Sequence, residues 1–81
     1  MKVTQIGSNQ TEVMLADGTT VLFSYTTPVA ARVPGKGWIR SATKYTVTTT
    51  KHINSWLLEN VGRLDCVPSV DPWEIEKLVA F

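Results

Sequence analysis

The hydrophobic periods of this chain predict an α+β domain, with an antiparallel sheet of about five strands, one helix packed on a face and a short C-terminal helix. Three observations carry that prediction. Residues 1–47 are rich in β-branched and aromatic residues broken by turn dipeptides; residues 50–61 switch to helical spacing; and "DPWE" at 71–74 has the form of a helix start.

"KVTQIG" reads as a first strand. In "TEVMLADGTTVLFSY", strand residues flank Asp17-Gly18, a dipeptide that accepts the positive φ of a hairpin turn. Pro28 donates no ladder hydrogen bond and restricts Thr27 before it, so the sheet is expected to break there and resume with "VAARV". "PGKG" at 34–37 predicts a second hairpin loop, and "WIRSATKYTV" a returning strand, which completes a meander over 1–47. From Thr50 onward Ile53, Trp56, Leu57 and Val61 share one helical face, and Gly62 supplies the left-handed stop. The Thr48-Thr49-Thr50 triplet then marks the change of period, with Thr49 or Thr50 as N-cap. Residues 63–70 read as a connector. A second helix over 71–80 begins with Asp71 as cap, Pro72 at the first helical position and Glu74 as the capping-box acid.

Eighty-one residues make a single domain, 1–81, and a chain of this size buries only about 60–65% of its unfolded surface. Hydrophobic content of 43% against 19% charged is enough to fold. The N-terminus has no apolar leader, and runs such as "VLF" and "WLL" fall far short of a membrane span, so a soluble cytoplasmic protein with no membrane partner is expected. Cys66 is the only cysteine, which excludes an internal disulfide and a cysteine-based zinc site and suits a reducing compartment. "NQT" at 9–11 reads as a turn.

The chemistry of catalysis is thinly represented. His52 with Ser24, Ser41, Ser55 or Cys66 lacks the local context of a nucleophile and base, "GKG" lacks the strand–loop–helix setting of a phosphate loop, and one His with one Cys gives no ligand pair. The expectation is therefore no enzyme, no cofactor and no metal. Charge is more informative. The net charge of +1 divides into a basic stretch, residues 28–52 with Arg32, Lys36, Arg40, Lys44 and Lys51 and no acid, and an acidic tail. Arg32, Lys36, Arg40 and Lys44 recur every fourth residue with Trp38 near the hairpin tip, a pattern that suits either a solvated outer face or one that tracks phosphates and stacks a base. Leu58 lies roughly 140° around its helix from Ile53, and Trp73 roughly 160° from Ile75. Each is a candidate protein contact, with packing on the sheet or the other helix as the plainer reading.

Two segments carry a resemblance. Phe23-Ser24-Tyr25-x-Thr27-Pro28-Val29-Ala30 and Tyr45-x-x-Thr48-Thr49-x-Lys51-His52-Ile53-Asn54-x-Trp56-Leu57 resemble small uncharacterised proteins of bacteriophages and other mobile elements. The likeness covers about half the chain, and residues 63–81 lie outside it. It implies a viral or mobile-element origin in a bacterial host and brings no reaction with it. Proteins of that origin and size often occlude surfaces of host machinery, anti-CRISPR inhibitors among them, which is an analogy of origin and not of residues. The expected function is non-enzymatic binding to a host protein or protein–nucleic-acid complex, the alternative is direct nucleic-acid binding by the basic sheet face, and a homodimer is compatible with both. Arg32, Lys36, Trp38, Arg40, Lys44, Lys51, Leu58 and Trp73 are the expected contact residues.

Overall fold

A computed structural model describes residues 2–79 of the chain. Among them, strands β1 (Lys2–Gly7), β2 (Gln10–Met14), β3 (Thr20–Ser24), β4 (Thr27–Val33), β5 (Gly37–Ser41) and β6 (Ser69–Val70) form one sheet in chain order. The helices are α1 (Val47–Asn60) and α2 (Pro72–Glu76). The expected α+β architecture is present, with one strand more than predicted. β1 to β5 are antiparallel, whereas β6 runs parallel to β5 through Arg40↔Ser69 and Ser41↔Val70. The chain between them, including α1, is the crossover that parallel pairing requires. Two residues are too few to display a period, which is why the connector 63–70 concealed a strand.

Turn residues set the meander's register. In the β2–β3 loop Leu15 N–H donates to Thr19 O at 2.7 Å, Gly18 N–H donates to Leu15 O at 3.1 Å, and Gly18 has φ 92°. This is a three-residue hairpin loop with glycine alone in the left-handed region, rather than a two-residue turn with both residues there. The Asp17 carboxylate accepts from Thr19 N–H at 2.9 Å, and that bond holds the carboxyl below its ordinary value of 3.8. A carboxyl lowered in the native state contributes stability that is full above the unfolded value and lost as pH falls through the native one. Asp17→Ala should therefore flatten the acid limb of stability below about pH 4, read as denaturant midpoints from neutral pH into strong acid. At the β4–β5 loop Lys36 N–H donates to Val33 O at 2.9 Å with Gly35 at φ 82°, the type II turn that Pro34-Gly35 favours.

Pro28 does not precede the strand expected at "VAARV" but lies inside β4, opposite Phe23, where the register with β3 slips between Leu22 and Phe23. A bulge is one of the few places in a sheet where proline fits. The slip leaves Val29 as the extra residue, so Val29 and Ala30 both join Leu22 in the core beneath α1.

Helix α1 begins earlier than the period suggested. Thr46 is the N-cap, its hydroxyl accepting from Thr49 N–H at 3.3 Å, so neither Thr49 nor Thr50 caps and the triplet lies within the first turns. The fifth strand ends at Ser41 instead of Val47. β-Branched residues favour strands only when a neighbour is there to pair, and here Thr49 is buried against Ser24 instead. Gly62, at φ 84°, donates to Leu58 O at 3.0 Å and ends α1 as read. Asp71 occupies the N-cap of α2 without a side-chain cap bond, and α2 spans Pro72–Glu76 where 71–80 was expected, residue 80 lying outside the described residues.

The sheet is apolar on both faces. Leu22 and Ala30, with Trp38 of β5, pack under Ile53, Trp56 and Leu57 of α1. Val21 and Ala31, the alternate positions, pack with Ile39 and Val70 under Ile75 of α2. The two helices therefore cover opposite faces. No helix among the described residues is long and apolar enough to cross a membrane.

Candidate functional site

The segment "TVLFSYTTP" places a tyrosine at a corner. β3 ends at Ser24, which pairs with Thr27, so Tyr25-Thr26 forms a two-residue turn in which Tyr25 has φ 58°. An aromatic residue in the left-handed region costs about 1–2 kcal/mol, a cost seldom accepted without a structural or functional reason. Tyr25 N–H donates to Asn9 O at 2.8 Å, and Asn9, in the β1–β2 turn, has φ 60°. Two left-handed residues are thus locked together at one end of the sheet.

On one side of this corner lies a polar joint between sheet and helix. The Ser24 hydroxyl donates to Thr49 Oγ1 at 3.0 Å and stands 2.8 Å from His52 Nδ1. The Tyr25 ring lies 6.1 Å from the His52 ring, centroid to centroid. Ser24 and His52 are at the separation of a nucleophile and its base. Ser24, however, is only 1% exposed. The Ser24 hydroxyl thus ties Thr49 and His52 of α1 to the end of β3, a hydrogen-bonded clasp in which the His52 tautomer decides whether Ser24 or Nδ1 donates. Among the described residues no group of three or more His, Cys, Asp or Glu side chains is placed to hold a metal ion.

On the other side the sheet is only partly covered. Helix α2 packs over β4 and β5 and, through Ile75, over Val21 of β3, and beyond it the same face carries a shallow groove of about 300 Å³ lined by Thr11, Val13, Phe23, Tyr25 and Thr26. Val3, paired with Val13, extends it toward the sheet edge. Val3 is 61% exposed and Tyr25 53%, while Val13 between them is buried, so the exposed apolar side chains stand at the two ends of the groove.

The sequence-predicted contact residues are dispersed. Arg32 and Arg40 share a face with Trp38, as strand parity required, and it is the face on which α1 packs, where Arg32 stays exposed and Arg40 is half-buried. Arg40 donates to Asn54 Oδ1 at 3.2 Å, Arg32 stands 6.0 Å above the Trp38 ring, and Trp38 packs edge-on against Trp56 at 5.2 Å. Lys36 sits in the β4–β5 turn at the rim of a cavity of about 220 Å³ with Glu74 and Lys77 of the opposite side. Lys44 is exposed in the loop after β5, and Lys51 is exposed on α1. The four-residue spacing of the basic series therefore does not produce one open positive face, because the turn and the end of β5 interrupt the strand parity on which it relied. Leu58 and Trp73 are both exposed but on opposite sides of the sheet, so they cannot belong to one flat surface; Trp73 is flanked by Lys77 Nζ, 4.6 Å from its ring. The groove residues were missed. Their signal was that both parities of "TVLFS" are apolar, which demands a cover for each face.

Residues 1–66 match the Family of unknown function (DUF8033). The chain belongs to that family. The matched stretch of this DUF8033 chain spans β1 to β5, α1 and the start of the connector, and therefore the whole groove and the Ser24–Thr49–His52 clasp, while β6 and α2 lie beyond it. No match was found among curated proteins or among solved structures.

Proposed function

We propose that this DUF8033 chain is a non-enzymatic binding protein, a phage or mobile-element accessory factor that occupies a surface of a host protein or protein–nucleic-acid assembly, as an anti-defence inhibitor does. The observation that carries the reading is the shallow, largely apolar groove on β2 and β3 beside a left-handed, half-exposed tyrosine, with Val3 exposed at the sheet edge. An apolar groove with an exposed aromatic anchor is characteristic of protein contact sites. The burial of Ser24 supports the non-enzymatic side of the reading, since a nucleophile must meet its substrate. Direct nucleic-acid binding draws less support: the groove residues Thr11, Val13, Phe23, Tyr25 and Thr26 carry no charge, and the cations are scattered over several surfaces.

The test is Tyr25→Asn, because asparagine tolerates the left-handed backbone while removing the ring. Tagged wild type, incubated in a bacterial lysate, is expected to retain a polypeptide partner after nuclease treatment. The variant should fold as well and bind it more weakly by about 2 kcal/mol, roughly 30-fold. Equal capture by both proteins, or loss of all captured material on nuclease treatment, would count against the groove.

A further inference from the structure

β1 is an edge strand of six residues, and every side chain from Lys2 to Ile6 is exposed. The outer side of such a strand presents unpaired backbone N–H and C=O groups, which an extended chain satisfies better than water does. Natural edges are usually protected by charge, proline or distortion. β1 has no proline, its one charge is Lys2 at the first position, and its bulge falls only at Ile6, next to the turn. The opposite edge is guarded differently, because β6 has two residues and offers almost nothing to pair.

We propose that β1 pairs antiparallel with β1 of a second copy of this chain about a two-fold axis through Thr4. The unequal edges point to that occupant: a β1-to-β6 contact has too little strand to form, so self-association is β1 to β1, and it closes at two copies because both long edges are consumed. Side-chain parity fixes the register. A two-fold axis perpendicular to a continuous sheet pairs residues of like facing, and centring it on Thr4 sets Thr4 against Thr4, Val3 against Gln5 and Lys2 against Ile6. The two lysines are then apart, and hydroxyl residues meet at the centre, a favourable cross-strand pair. The exposed Val3 of each copy comes beside the other copy's strand on the same face as Val13, so the two grooved faces join across the axis. The Tyr25 groove stays open at the far end of each face, and the dimer stands or falls separately from the docking reading.

Sedimentation equilibrium of the full chain at concentrations on the order of 0.1–1 mM tests the joint. The wild type should approach twice its 9.0 kDa mass. Thr4→Lys, at an exposed position, places two like charges opposite each other and should sediment as a monomer while keeping the wild type's circular dichroism spectrum. An equimolar mixture of Thr4→Lys and Thr4→Glu should recover the dimer. A wild type that remains monomeric throughout that range, a Thr4→Lys variant that still dimerises, or a mixture that stays monomeric would each overturn the proposal.

Discussion

Trp56→Ala is expected to lower stability by about 3–5 kcal/mol, the range for removing a buried tryptophan. Trp56 is 2% exposed at the centre of the α1 face, between Leu22, Val29 and Ala30 of the sheet and Ile53 and Leu57 of its own helix. It also holds two specific partners. The Trp38 ring meets it at 70°, and its indole N–H donates to the Glu12 carboxylate at 2.9 Å. Alanine would leave a void beneath Trp38 and a carboxylate without its donor. A domain of 81 residues has roughly 4–12 kcal/mol of total stability, so the variant should be largely or wholly unfolded at the wild type's denaturant midpoint. A wild-type midpoint for Trp56→Ala would mean that α1 does not seat on the sheet through this face. Trp56→Phe retains most of the packing but not the donor, and its smaller loss separates the two contributions.

Ile75→Ala should cost about 2–4 kcal/mol by the same cavity argument. The consequence is more local. Ile75 is fully buried against Val21 and Ala31 and is the buried anchor of α2. Five helical residues have no stability of their own, so α2 holds its form only while docked. The expected result is early loss of hydrogen-exchange protection at Lys77 and Leu78, whose amides donate to Trp73 O and Ile75 O, while the amides of α1 stay protected. Uniform loss of protection across both helices would show instead that the two faces of the sheet unfold as one unit.

Much of this fold was legible in the sequence, and the failures have physical reasons. Asp17-Gly18 and Pro34-Gly35 located two of the four hairpins because turn chemistry is local, and Ile53, Trp56 and Leu57 located the face of α1 because burial imposes the helical period. The start of α1 was misplaced by three threonine and valine positions, since the propensity of "TVTTT" points to a strand and the Ser24–Thr49 contact, 25 residues apart, overrides it. β6 and the side of the sheet taken by α2 depend on long-range pairing with β5 and β4, which no local pattern encodes. The site was less legible still. The basic series was read along a line of sequence, whereas position on the sheet puts Arg32 and Arg40 on the α1 side and Lys36 in the turn. Tyr25 gave no signal of its left-handed backbone, because that conformation is imposed by the Asn9 contact from a neighbouring turn.

The central claim, that the groove beside Tyr25 meets a protein partner, is tested most directly by site-specific photo-crosslinking. A photoreactive residue at Thr26, on the rim of the groove, should give a covalent adduct with one host polypeptide, and the adduct should persist after nuclease treatment. The same residue at Leu58, exposed on α1 on the opposite side of the sheet, should give none. Crosslinking from Leu58 without crosslinking from Thr26 would place the contact on the helix side and contradict the account.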